Sequence, residues 1–218
     1  MGKRFELLVF DWDGTLMDST AVIVASLQAA CTDLELPVPT EECARHIIGL
    51  GLHDALAHVL PGVNPAEYTR VAERYGQHFR LREPAAPLFA GAAEALRELT
   101  VAGHRLAIAT GKSRRGLDRV LTQTGLTTIF EATRCGEESG TKPNPGMLID
   151  LMRTVGAEPA RTLMIGDTTH DLQMAINAGV PHVAAAYGAH PRAQLAALQP
   201  LACLDQPQEL WTWLKHSA

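Results

Sequence analysis

The sequence predicts an α/β protein, a parallel sheet with flanking helices whose core is interrupted by an all-helical insert. Three observations predict it. The apolar run Leu7-Leu8-Val9-Phe10 stops abruptly at Asp11-Trp12-Asp13-Gly14-Thr15, as a buried strand does when it reaches the edge of a sheet. From Asp18 to about Arg82 the periodicity is helical. After the proline-marked return Arg82-Glu83-Pro84-Ala85-Ala86-Pro87, strands and helices alternate, which implies βαβ units.

Within the insert, Val22, Val24, Leu27 and Ala30 begin one helical stretch, and Pro65, Tyr68, Val71, Tyr75 and Phe79 carry another. Between them, Thr40 stands three residues before Cys43 as an N-cap, and Ile47-Ile48-Gly49-Leu50-Gly51-Leu52 breaks into a glycine-bearing loop. After the return, helices are expected over 91–102, 113–123, 145–155, 169–178 and 209–215. Strands are expected over 105–109, 162–165 and 182–185, with a short apolar step at Ile129-Phe130. The core therefore comprises residues 1–16 and 84–218, and the insert 17–83. A chain of 218 residues has room for one domain of about 150 residues and a smaller one.

The strand ends carry the chemistry. In an open parallel sheet, ligands bind at the carboxyl ends of the strands, where Asp11 and Asp13 emerge. Two carboxylates one residue apart repel each other, so they require a metal, a shared proton or two different jobs. Asp-Gly is also a common turn pair, but three more polar strand ends answer to this one.

The first is Thr110-Gly111-Lys112-Ser113, where a hydroxyl, a glycine and the amides of a helix start make an anion cradle, or an ordinary N-cap at Ser113. Next is Lys142, held by the prolines of Lys142-Pro143-Asn144-Pro145, a charge balance for acidic neighbours. The last is Gly166-Asp167-Thr168-Thr169-His170-Asp171. Asp171, four residues after Asp167, reaches the same site from the first helical turn, although Asp167 or Thr169 also suits helix capping.

A formal net charge of −5 argues against a general nucleic-acid or anionic-membrane binder. No apolar window is long enough to span a bilayer, and the apolar run before Asp11 is too short for a signal peptide. Glu6 breaks the myristoylation pattern after Met1-Gly2. Cys31, Cys43, Cys135 and Cys203 lack CxxC spacing and read as buried thiols of a reducing compartment. The expected location is the cytoplasm.

Taken together, Asp11-x-Asp13-Gly14-Thr15, Thr110, Lys142-Pro143 and Gly166-Asp167-x-x-x-Asp171 resemble, in order and content, the four motifs of the haloacid dehalogenase superfamily. The helical insert falls where that superfamily places its cap, so the resemblance covers nearly the whole chain. It implies a Rossmann-like core and a phosphatase. Asp11 would be the nucleophile that forms an aspartyl-phosphate, and Asp13 the acid and then the base. Mg2+ would be held by the Asp11 side chain, the Asp13 carbonyl and Asp167, with Asp171 ligating it directly or through its neighbours. Thr110 and Lys142 would bind the phosphoryl oxygens, with Trp12, Gly111 and Lys112 also at the phosphate or substrate.

Among relatives, dehalogenases lack the second aspartate, so Asp13 argues against dehalogenation. Phosphonatases use a cap lysine, and no lysine occurs between Met17 and Glu83. The overall pattern looks most like phosphoglycolate phosphatases, with Asp18-Ser19 after the first motif. Gly111 departs from it, since many such enzymes have asparagine after the threonine. Lys112, Arg114 or Arg115 would suit a substrate with a second anionic group, or else a solvated helix start.

A β-phosphoglucomutase-like enzyme is the alternative, with Arg45 and His53 of the cap as substrate contacts. A phospho-dependent signalling or binding protein is another, although receiver modules draw their aspartates from separate strands and lack such an insert. A cap closing over Asp11 would bring residues 49–53 to the substrate, with hinges bordered by Asp18 and 82–84. Such a small chamber implies a small phosphorylated metabolite rather than a phosphoprotein, in a monomer or homodimer. Trp211 and Trp213 face different ways on a helix and suggest terminal packing, and Tyr187-Gly188-Ala189-His190 reads as an ordinary loop near the site.

Overall fold

In the computed structural model, which describes residues 3–218, β1 (Leu7–Phe10) leads into four helices: α1 (Thr20–Asp33), α2 (Glu41–His46), α3 (Leu52–Val59) and α4 (Tyr68–Arg82). The chain returns through α5 (Ala92–Val101), β2 (Arg105–Thr110), α6 (Arg114–Thr124), β3 (Ala132–Cys135), α7 (Gly136–Ser139) and α8 (Gly146–Val155). It ends with β4 (Thr162–Gly166), α9 (Thr169–Asn177), β5 (His182–Ala185), α10 (Arg192–Ala196), β6 (Cys203–Leu204) and α11 (Pro207–Ser217). The Met1-Gly2 start lies outside the described residues. No helix among those described is long and apolar enough to cross a membrane.

All six strands are parallel, in the order β3-β2-β1-β4-β5-β6. The direction of winding reverses at β1, so a crevice opens beyond the carboxyl ends of β1 and β4, where such sheets bind ligands. Register aligns that edge. Phe10 pairs with Ile108 on one side and Ile165 on the other, which brings Asp11 out beside the last residues of β2 and β4.

Buried on both faces, the central strands are apolar without interruption, and their alternate residues feed two cores. Leu8, Phe10, Ile108 and Ile165 pack with Leu96, Leu117 and Leu210, whereas Leu7, Val9, Ala109 and Met164 pack with Met147, Leu151 and Met174. The helical insert closes its own core around Leu27, Leu56, Tyr68, Val71 and Phe79. Its two connections to the sheet run side by side: Met17 bridges Leu88, and the Asp18 amide donates to the Pro87 carbonyl at 2.9 Å. As expected, Thr40 caps α2, accepting from the Cys43 amide at 3.2 Å.

Several elements differ from the sequence pattern, either because they lie at a sheet edge or because they are short. The third strand is Ala132–Cys135 rather than the apolar step before it; it pairs only with β2, and Thr133 and Arg134 are half-buried and polar. Phe130 instead packs edge-on against Trp12. The helices α3, α7 and α10 and the two-residue β6 are short, with too little periodicity to read. Nor are all four cysteines buried: Cys31 and Cys135 are, but Cys43 is exposed on α2 and Cys203 lies half-buried at the sheet edge. Trp211 is buried, donating to the Ala90 carbonyl at 3.0 Å, while Trp213 is half-buried.

Leu8 is fully buried at the centre of the sheet, so Leu8→Ala is expected to lose about 2–5 kcal/mol of stability, read as a fall in the denaturant midpoint at constant slope.

Candidate active site

Asp11 leaves β1 with its amide donating to the Ile165 carbonyl at 2.9 Å, which points its carboxylate over the end of β4. There Asp11, Asp167 and Asp171 each offer an oxygen within 4.8 Å of the others, all three buried. Lys142, whose side chain is fully buried, sets its Nζ 2.7 Å from Asp11 Oδ1 and 2.6 Å from Asp171 Oδ1. Burial opposes a charge on Lys142, but the two carboxylates outweigh it and hold the ammonium protonated.

One ammonium does not balance three carboxylates. Burial pushes the Asp11 carboxyl from 3.8 up to about 7, against the pull of Lys142 and with Asp171 and Asp13 adding to the rise. Asp167 is raised as well, by burial first and then by Asp11 and Asp171. Two hydrogen bonds hold the Asp167 carboxylate, from Thr15 Oγ1 at 2.7 Å and the Ala189 amide at 2.7 Å. The chain crowds it closely: a Cβ on Gly14, whose φ is +83°, would lie 2.1 Å from Asp167 Oδ2, and one on Gly188 would lie 2.3 Å away. The Tyr187-Gly188-Ala189-His190 segment is therefore part of the site and not merely a neighbouring loop. Its contact with Asp167 leaves no residue-type signal because it is made by a backbone amide.

Asp171 does two things. Its Oδ2 accepts from the Thr168 amide at 3.0 Å and the Thr168 hydroxyl at 2.6 Å, closing a capping box at the start of α9, while its Oδ1 turns to Lys142. The helix cap is Thr168 rather than Asp167 or Thr169.

Asp13 takes the Ser19 hydroxyl at 2.7 Å and Lys112 Nζ at 3.1 Å. Ser19 stands at the N-cap of α1 but spends its hydroxyl on Asp13, so α1 has no side-chain cap. Lys112 also lies 3.8 Å from Glu83 Oε1 and 4.7 Å over the Phe79 ring, and Arg119 completes the pairing of Glu83 at 2.7 Å. Lys112 is thus committed to Asp13 and Glu83. Arg114 is likewise held by Glu138 at 2.8 Å and by Thr133, leaving only Arg115 of the three basic residues without an acidic partner among the described residues. Ser113 does cap α6, accepting from the Gly116 amide at 3.2 Å. Thr110 is buried, with its hydroxyl accepting from the Lys112 amide at 3.2 Å. Trp12 departs from expectation: its indole turns into the sheet's core, donating to the Met17 sulfur at 3.2 Å, so only its main chain stands at the strand end.

The cap is seated on this edge. Arg45, a substrate contact in the mutase alternative, donates to the Gly188 carbonyl at 2.8 Å and the Ala189 carbonyl at 3.3 Å. The His46 carbonyl accepts from Nε2 of His170 at 2.8 Å and of His190 at 3.0 Å. His190 Nδ1 accepts from the Thr169 amide at 3.0 Å, so this imidazole is neutral, and burial together with His170 pushes its pKa down to about 4. Thr141, beside Lys142, donates to Asp54 of α3 at 2.5 Å. His53 lines the cavity and packs edge-on against Tyr68. Gly111 explains its own identity: a Cβ there would lie 2.6 Å from the carbonyl oxygens of both Gly49 and Leu50, the glycine loop of the cap.

Residues 8–185 match the haloacid dehalogenase-like hydrolase family. The chain belongs to that family. It is 35% identical to a protein of Dickeya dadantii (strain 3937) named probable phosphatase IndB, covering 94% of this chain and 91% of that one. It is 29% identical to a phosphoglycolate phosphatase of Agrobacterium fabrum, over 91% of this chain and 88% of the relative. The solved structure of a hydrolase from Pseudomonas syringae superposes with a TM-score of 0.89 at 22% identity, covering 98% of this chain and 99% of that one, which shows the shared fold.

Gly111→Asn forces a side chain against cap backbone that has no free end to yield, so the cap is expected to lift. Trypsin should then cleave faster after Arg82, and kcat/KM should fall roughly 100-fold, as for a misplacement of about 1 Å at a closed site. A second prediction concerns Asp11. Its folded pKa lies above its unfolded one, so its contribution to stability is fully present below about pH 4 and is lost as the pH rises through about 7. Thermal melts in chelator across that range should show a fall in Tm that Asp11→Asn makes shallower.

Proposed function

We propose that this hydrolase is a Mg2+-dependent phosphatase acting on a small-molecule phosphate monoester through a phosphorylated Asp11. The observation that carries the reading is the Asp11 carboxylate itself. It is buried, neither of its oxygens has a hydrogen-bond partner beyond the ion pair with Lys142, and it forms the floor of the cavity beneath the cap.

Asp11 attacks phosphorus, and the ester P–O bond breaks as the Asp11–phosphorus bond forms. Asp13, held beside it by Ser19 and Lys112, gives its proton to the departing alcohol oxygen. As a carboxylate it then takes a proton from the water that attacks the aspartyl-phosphate, releasing inorganic phosphate and restoring Asp11. Thr110 and Lys142 hold the phosphoryl oxygens and offset the negative charge of the acidic edge.

The residues present fit a divalent cation. Three buried carboxylates face one ammonium, their oxygens lie within 4.8 Å of one another, and hard oxygen donors suit magnesium. Asp11, the Asp13 carbonyl and Asp167 would hold it, with Asp171 beside them. When bound, it would neutralise the carboxylates and polarise a phosphoryl oxygen. In this reading residues 17–83 form a cap that sets specificity and excludes bulk water, while 1–16 and 84–218 carry the chemistry. Every group invoked comes from one chain.

Phosphate release from a panel of esters, including phosphoglycolate, sugar phosphates, nucleoside monophosphates and acetyl phosphate, tests the proposal. Turnover that needs magnesium and drops to background in Asp11→Asn is the expected result. Turnover of a sugar phosphate into its positional isomer without phosphate release would favour a mutase, and no turnover at all would overturn the reading.

A further inference from the structure

Cap and core together line a partly open cavity of about 750 Å³ above Asp11 and Asp13. That falls in the range of sites that hold drug-sized organic molecules and far exceeds what a glycolate group fills. Its polar groups are unevenly placed. Asp11, Asp13 and Thr110 form a floor that belongs to the core, and core residues such as Lys112, Ser113 and Arg115 continue the lining on one side, whereas the cap's side is mainly apolar.

Ile23 and Leu27 of α1, Leu56 of α3 and the loop residue Ile48 line one part, and Tyr75 and Phe79 of α4 another. The Tyr75 and Phe79 rings lie 5.6 Å apart with only 30° between their planes, which makes an aromatic shelf. The lining cations do not serve the interior. Lys112 is occupied by Asp13 and Glu83, Arg119 is paired with Glu83, and Arg80 and Arg115 are both exposed. A carboxylate carried deep under the cap would lose its hydration against apolar walls, and the ammonium nearest the Phe79 ring, that of Lys112, is already paired with Asp13 and Glu83. A hydrocarbon body in the same place would gain from leaving water.

We propose that the substrate's leaving group is a bulky, largely apolar alcohol bearing a ring or branched hydrocarbon, rather than a small hydroxy acid. The phosphate would sit on the floor of Asp11, Asp13 and Thr110, and the alcohol's apolar body would lie on the Tyr75–Phe79 shelf between α1, α3 and α4. This deepens the phosphatase reading and rests on it for the position of the phosphate. It adds no bond-making step to the one already given.

Binding decides the inference and turnover decides the reading beneath it. Benzyl phosphate and phosphoglycolate are both esters of primary alcohols. Titrated calorimetrically into Asp11→Asn protein with magnesium, benzyl phosphate is expected to bind at least about tenfold more tightly, a conservative figure for the apolar area of one ring. The same preference is expected in kcat/KM of the wild type. It should shrink several-fold in Ala72→Phe, which fills the cavity from α4 and whose folding is checked by its thermal melt.

Equal binding, or tighter binding of phosphoglycolate, would overturn the inference and leave the phosphatase reading intact. If neither ester nor acetyl phosphate turns over while benzyl phosphate still binds selectively, the phosphatase reading fails and the apolar site stands. Binding of neither ester would overturn the inference outright.

Discussion

Lys142 Nζ, wedged between Asp11 and Asp171 at 2.7 and 2.6 Å, is the interaction on which the rest of the site depends. Strand order and register bring the carboxyl ends of β1 and β4 together, and with them Asp11 and Asp167. Nothing in the sheet relieves their repulsion. Lys142, from another segment and fully buried, offsets part of this charge from between Asp11 and Asp171, while the Thr15 hydroxyl and the Ala189 amide hold Asp167. Such an arrangement is costly to break from either side, because removing one member leaves the other charge buried without its partner. Burial above all raises the Asp11 carboxyl, with Asp171 and Asp13 adding to the rise against the pull of Lys142.

The same lysine ties the chemistry to the cap. Its neighbour Thr141 bonds to Asp54 on α3, and the loop before α3 presses its Gly49 and Leu50 carbonyls onto Gly111, directly after Thr110. On the other side, Arg45 and His46 at the end of α2 grip the segment whose Ala189 amide holds Asp167. Cap position is thus coupled to the acidic residues through two short backbone paths. Lys112 supplies a third, joining Asp13 to Glu83 where α4 returns to the core.

Those parts of the architecture that rest on dense patterns were legible in the sequence. Central strands such as Leu7–Phe10 and Thr162–Gly166 are buried on both faces, so each is a clean apolar run with a polar stop. β3 was not, because an edge strand with one partner tolerates Thr133 and Arg134. At the site, Asp11, Asp13, Thr110, Lys142, Asp167 and Asp171 stood out because side-chain chemistry at strand ends leaves a residue-type signal, and the structure gathers them at one edge. The Gly188-Ala189 segment left none, since it contributes an amide and the absence of a Cβ. Arg45 and Lys112 present the opposite case. Their charge is visible in a sequence, but the carbonyls and carboxylates that consume it come from segments far along the chain.

Asp171 shows why spacing alone does not separate a structural role from a chemical one. Its place three residues after Thr168 is what a capping box requires, and its place four residues after Asp167 is what a shared site requires. Both are realised because a carboxylate has two oxygens and the first turn of α9 aims them apart, one at the Thr168 amide and hydroxyl, the other at Lys142. The bond that starts the helix therefore also fixes the orientation of the oxygen in the site. Ser19 follows the opposite course: it stands at a helix N-cap, leaves the helix amides without its oxygen and gives its hydroxyl to Asp13. The starts of α1 and α9 are accordingly built around an aspartate, whereas α6 at the same edge is capped by Ser113 in the ordinary way.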